Sequence, residues 1–179
     1  PQTRSQGLSF RSNLARLTET LISEGKIEKA KEIINIAMTN LPVEYYGFYA
    51  FVEPYVDGYY KVGETTKARE LYEKLRKVYQ ERLEYYSGAP LDEQYEKIDD
   101  ILTDMQAYRR NIDILIENQD RDYAEKETII FNEYIDKFSQ FVGDDEEVFE
   151  DPIMPDPDLE DSIPLDTIPM TEDSVLQEE

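Results

Sequence analysis

The chain has 179 residues and carries 41 acidic against 19 basic side chains, a net charge of -22, in a length that holds one domain of about 140 residues and a tail. Such a charge repels nucleic acid and anionic membrane, because phosphate binding needs clustered Lys and Arg. With neither cysteine nor histidine, disulfides, thiolate zinc sites, cysteine nucleophiles and imidazole bases are all excluded, and no cofactor is expected.

Pro1 is followed by neither a basic-then-apolar leader nor an apolar run of membrane-spanning length, so no direct membrane insertion by this stretch is expected. The absent initiator methionine reads as a processed end or as a fragment of something longer. Residues 1–8 read as a flexible lead-in. Ser9 is placed to cap a helix running to about Glu24, with Phe10, Leu14, Leu17 and Leu21 recurring at helical spacing as its core face. Gly25 ends it. A second helix spans about Ile27 to Asn40 on Ile27, Ala30, Ile34, Ala37 and Leu41, and Pro42 stops it. Because Pro54 belongs in a first turn, the next helix is expected from about Val52 to Val62. The aromatic residues before it then form a turn or short helix.

Gly63 closes that helix, and Thr65 is a good cap for a long one carrying Ala68, Leu71, Tyr72, Leu75, Val78, Tyr79, Leu83 and Tyr86. Gly88 and Pro90 stop it. A third hairpin follows on Tyr95, Ile98, Leu102, Met105, Ile112 and Ile116, then Ala124, Phe131, Tyr134, Phe138 and Phe141. It shows no glycine-alanine phase and reads as a degenerate, capping unit. From residue 143 onward there is no Lys or Arg, while 15 of the 41 acids and five of the nine prolines lie there. That composition predicts a tail 143–179 that is disordered when free. Its apolar residues spaced among acids suit either a solubilising tether or a segment that folds into a groove, the protein's own included.

Gly25 with Ala30 and Gly63 with Ala68 share one phase, 38 residues apart. Leu21, Leu17 and Leu14 align with Tyr59, Tyr55 and Val52, and Ile34 and Ala37 with Tyr72 and Leu75. With Pro42 as a closing proline and Tyr59 and Tyr72 at aromatic positions, these units resemble tetratricopeptide repeats. The expected fold is therefore all-α. It comprises stacked antiparallel helical hairpins in a tetratricopeptide-like right-handed solenoid over residues 9–142, in units of about 9–42, 43–88 and 90–142. The resemblance implies peptide binding along the face made by the first helix of each pair, here Asn13, Arg16, Glu19, Asp57, Tyr60 and Lys61. Arg16 with Asn13 suits a carboxylate, although plain solvated helix surface fits the same residues.

The run Tyr45, Tyr46, Gly47, Phe48, Tyr49, Ala50, Phe51 is either a docking patch or packing between the first two units. Asp156 to Asp161 starts like a calcium loop but lacks the glycine at Asp161 and the final Glu at Thr167, so no metal is expected. Carboxylate pairs such as Asp99 with Asp100 diverge on a helix, and nothing assembles a nucleophile, base and oxyanion site. The fragment is not expected to be an enzyme itself.

Arg11 to Leu17, Leu21 to Lys26, Tyr59 to Gly63 and Tyr79 to Tyr86 resemble the soluble C-terminal region of bacterial multi-pass membrane proteins of the protein O-mannosyltransferase type. The likeness covers about residues 9–140 and carries no catalytic residue. It implies a non-catalytic protein-interaction domain outside the cytoplasm, in the periplasm beside the membrane, that docks a protein or peptide partner for a glycosyltransferase. A free-standing adaptor whose peptide groove is regulated by its own acidic tail is the other reading.

Overall fold

The computed structural model describes residues 2–47 and 49–141. Within them are α1 (Gln2–Ser23), α2 (Ile27–Asn40), α3 (Val43–Tyr46), a 3-10 turn (Tyr49–Phe51), α4 (Glu53–Lys61), α5 (Thr65–Ser87), α6 (Leu91–Glu96), α7 (Ile98–Glu117) and α8 (Arg121–Lys137). No strand occurs among the described residues. The protein is all-α there, and the acidic segment from residue 143 lies outside the described residues.

Pairs joined by short turns pack together: α1 with α2, α4 with α5, α7 with α8. The first helix of each later pair also packs on the preceding hairpin, α4 against α1 and α2, and α7 against α5 and α4. The three turns share one construction. Gly25 and Gly63 have φ of +71° and +78°, the left-handed region that an L side chain rarely enters. Each donates its N–H three residues back, to Ile22 O and Tyr60 O at 2.9 Å, and the following residue donates to Leu21 O and Tyr59 O at 2.8 Å. This paired bond satisfies carbonyls that a helix end leaves open.

The third hairpin repeats the device without glycine. Gln119 takes φ +60°, Gln119 N–H reaches Ile116 O and Asp120 N–H reaches Leu115 O, both at 2.9 Å. Ala124 then stands five places on, as Ala30 and Ala68 do, and all three are inaccessible to solvent. The small-residue phase is thus present in the hairpin that was expected to lack it; only its glycine is replaced.

Other differences have local causes. Helix α1 begins at Gln2, so the expected lead-in is helical and Ser9 lies inside the helix instead of capping it. Its buried face is Gly7, Arg11, Ala15 and Thr18, whereas Phe10 is 63% and Leu17 41% exposed. At Gly7 the ring of Tyr46 lies where a Cβ would stand. Glu64, not Thr65, occupies the cap position of α5, with no side-chain capping bond. Short α6 precedes the third hairpin, so α7 starts at Ile98.

Between α5, α7 and α8 the core closes around a buried carboxylate. Glu127 accepts from Arg76 Nη1 at 2.8 Å, Tyr108 OH at 2.9 Å and Tyr72 OH at 3.2 Å. Three donors offset the desolvation of that charge, and burial pushes both tyrosines well above their usual range.

Candidate functional site

The linker between the first two hairpins is held from beneath by one buried cation. Arg11 donates to Gly47 O at 2.7 Å, Leu41 O at 2.8 Å and Pro42 O at 3.3 Å, and its guanidinium lies 5.5 Å from the centre of the Tyr46 ring. These carbonyls lie past the end of α2, and Pro42 O also accepts from the N–H groups of Tyr45 and Tyr46 in α3. Tyr55 OH in turn donates to Arg11 O, tying α4 to α1. Burial lowers the Arg11 pKa from its ordinary value, opposed by Tyr55, Tyr46 and Glu44, and a guanidinium stays protonated in proteins.

Anchored this way, the linker forms one wall of a groove of about 410 Å³ against α5 and α7. Tyr49 and Phe51 supply its aromatic side, with Tyr49 set edge-on to Tyr79 of α5 at 6.2 Å between centroids. Asp104 of α7 forms the floor and is buried. Arg82 Nε stands 2.9 Å from Asp104 Oδ2 as an ion pair, yet off the line that a hydrogen bond needs. That oxygen has no hydrogen-bond partner among the described residues. Burial pushes the Asp104 carboxyl up to about 6 from 3.8, against the opposing pull of Arg82. At the rim Arg110 pairs with Glu53 at 3.3 Å, and burial raises Glu53 as well.

This arrangement offers an aromatic surface for an apolar side chain beside an acceptor and a half-exposed guanidinium. An extended peptide segment has the matching set: a side chain to bury, an N–H to donate to Asp104 and a C=O to accept from Arg82. A second depression, along Glu28, Lys31, Glu32 and Asn35 of α2, is walled by a single helix and contains no such convergence.

The aromatic run divides in the structure. Tyr45 is 66% exposed and Phe51 43%, Tyr49 and Phe51 line the groove, and Tyr46 is packed against Gly7 and Arg11. Phe48 lies outside the described residues. Of the helix-face residues, Asp57 pairs with Lys61 at 2.6 Å and accepts from Asn118 at 3.0 Å. Tyr60 OH donates to Asp120 at 2.6 Å, alongside Arg69. Asp57 and Tyr60 therefore join the second and third hairpins, while Asn13, Arg16 and Glu19 stay exposed on α1. No hydrogen bond or ion pair links the two trios among the described residues. Sequence reading missed Arg82, Asp104 and Arg110. Asp104 left a signal: it is an acid on the apolar face of α7, between Ile101 and Tyr108.

Comparison of the chain with protein-family models, with curated proteins and with solved structures gave no match to any of the three.

Proposed function

We propose that the chain is a non-catalytic helical-repeat domain, its hairpins stacked as a tetratricopeptide-like right-handed solenoid, that binds a peptide segment of a protein partner in the groove under Tyr49 and Phe51. The observation that carries this reading is the convergence of Tyr49, Phe51, the half-exposed Arg82 guanidinium and Asp104 on one aromatic-walled groove. Recurring polar contacts at both hairpin junctions support the solenoid reading.

The test is selection from a displayed library of random twelve-residue peptides against the full chain. Selected peptides should lose about tenfold or more in affinity on Phe51→Ala and on Asp104→Asn, the loss typical of central contact residues. Binders indifferent to both substitutions, or no binders at all, would overturn the groove reading. The more specific proposal, an accessory domain beside a membrane-bound glycosyltransferase in the periplasm, rests on the resemblance over residues 9–140. Its test is the coding sequence upstream of Pro1: several apolar spans support it, and none removes it.

A further inference from the structure

Counted from the left-handed residue of each closed turn (Gly25, Gly63, Gln119), one ion-paired set of positions recurs at both hairpin junctions. The residue one place on, Glu64 or Asp120, pairs with the residue six places on in the preceding hairpin, Lys31 or Arg69. Four places before the turn, Tyr59 donates to Asn35, ten places on in the preceding hairpin, at 3.2 Å. Eight, eleven and fifteen places before, Tyr55, Tyr108 and Asp104 reach Arg11, Gln80 and Arg82 of the hairpin in front.

In α1 those four positions are Leu21, Leu17, Leu14 and Phe10, and among the described residues no hairpin stands in front of them. Phe10 and Leu17 are exposed and the other two half-buried. A stack of repeats ordinarily closes with a polar outer face, which this stripe is not. At the opposite end, α8 presents Glu125 six places on and Ile129 ten places on, with Ile129 60% exposed.

We propose that the α1–α2 face docks on the α8 face of a second copy of this chain, head to tail, in the register that joins the internal hairpins. Charge argues for that occupant. Lys26 stands where Glu64 and Asp120 stand, and Glu125 where Lys31 and Arg69 stand, so both free ends reverse sign together and remain complementary. Apolar matching agrees, since Leu21 meets Ile129 where Tyr59 meets Asn35. Three terms oppose it: Lys26 must leave Glu24, its partner within the chain at 2.6 Å, Arg16 meets Arg109 where Arg110 meets Glu53, and Glu24 meets Asp113 where Asn118 meets Asp57. The association is therefore weak and concentration-dependent. Because the contact is heterologous and leaves a free face at each end, it grows by addition instead of closing as a dimer. It does not depend on the groove.

Sedimentation of the full chain from micromolar to millimolar concentration tests this, with circular dichroism to confirm that each variant keeps its helix. The weight-average mass should climb past two copies. Leu17→Glu should abolish the climb. Lys26→Glu and Glu125→Lys should each shift it to about threefold higher concentration, the effect of an exposed ion pair, and the double variant should restore it. A monomer at every concentration would overturn the proposal. So would a species that stops at two copies and ignores Glu125→Lys, which would signal α1 packing on α1.

Discussion

At the scale of the residue, the two most informative side chains are charged groups placed where apolar ones are the rule. Arg11 and Asp104 are both buried, but their environments differ. Among the described residues Arg11 donates to three carbonyls, with only its Nε left without a partner, whereas an Asp104 oxygen has the Arg82 ion pair but no hydrogen bond. Burial raises the Asp104 carboxyl in the folded chain above its ordinary 3.8, so the folded chain holds this proton more tightly than the unfolded one. Its contribution to stability is then fully present below 3.8 and is lost as pH rises toward about 6. The displacement corresponds to about 3 kcal/mol at about 1.4 kcal/mol per pH unit, and Glu53 acts in the same direction. Asp104→Asn should therefore stabilise the free protein at neutral pH by about 1–3 kcal/mol and flatten the slope between pH 4 and 6. Denaturant titrations at several pH values measure both; equal stability at pH 7 for the two proteins would show that Arg82 already compensates the buried charge.

At the scale of the element, periodicity and punctuation were legible where the deciding interactions are local. Ile27 to Asn40 carries its apolar face, its small Ala30 and its stopping Pro42 within one stretch of chain, and α2 spans those residues. The buried face of α1 was not legible, because what selects it is distant: Tyr46 lies over Gly7, and Arg11 reaches carbonyls 30 to 36 residues away. Likewise the groove needs Tyr49, Arg82 and Asp104 together, and no spacing along the sequence announces that meeting. The third closed turn escaped notice because Gln119 occupies a conformation that sequence reading assigns to glycine. A left-handed backbone costs an L residue about 1–2 kcal/mol, partly offset in any glycine substitution by the freedom glycine adds to the unfolded chain. Gln119→Gly should accordingly stabilise the protein by about 0.5–1 kcal/mol, read from the denaturant midpoint. A lower midpoint would mean that the Gln119 side chain contributes more than its backbone strain costs.

At the scale of the molecule, the strong packing pairs join each hairpin only to its neighbours, and stability in such a stack is a sum of units and junctions. The middle hairpin has two junctions, and the Tyr72, Tyr108 and Glu127 cluster adds buried bonds to the second of them. Among the described residues the first hairpin has one junction and leaves the Phe10–Leu17 stripe uncovered. Opening should therefore begin there and reach α5 and α7 last, because local stability follows the number of buried contacts an element would lose. Hydrogen exchange followed by mass spectrometry should rank α1 and α2 as the fastest helices and α5 and α7 as the slowest. Identical exchange throughout would instead describe one cooperative block. Concentration separates two sources of protection: in a dilute solution α1 stands alone, whereas head-to-tail docking would cover its stripe and slow its exchange as concentration rises, leaving α5 unchanged.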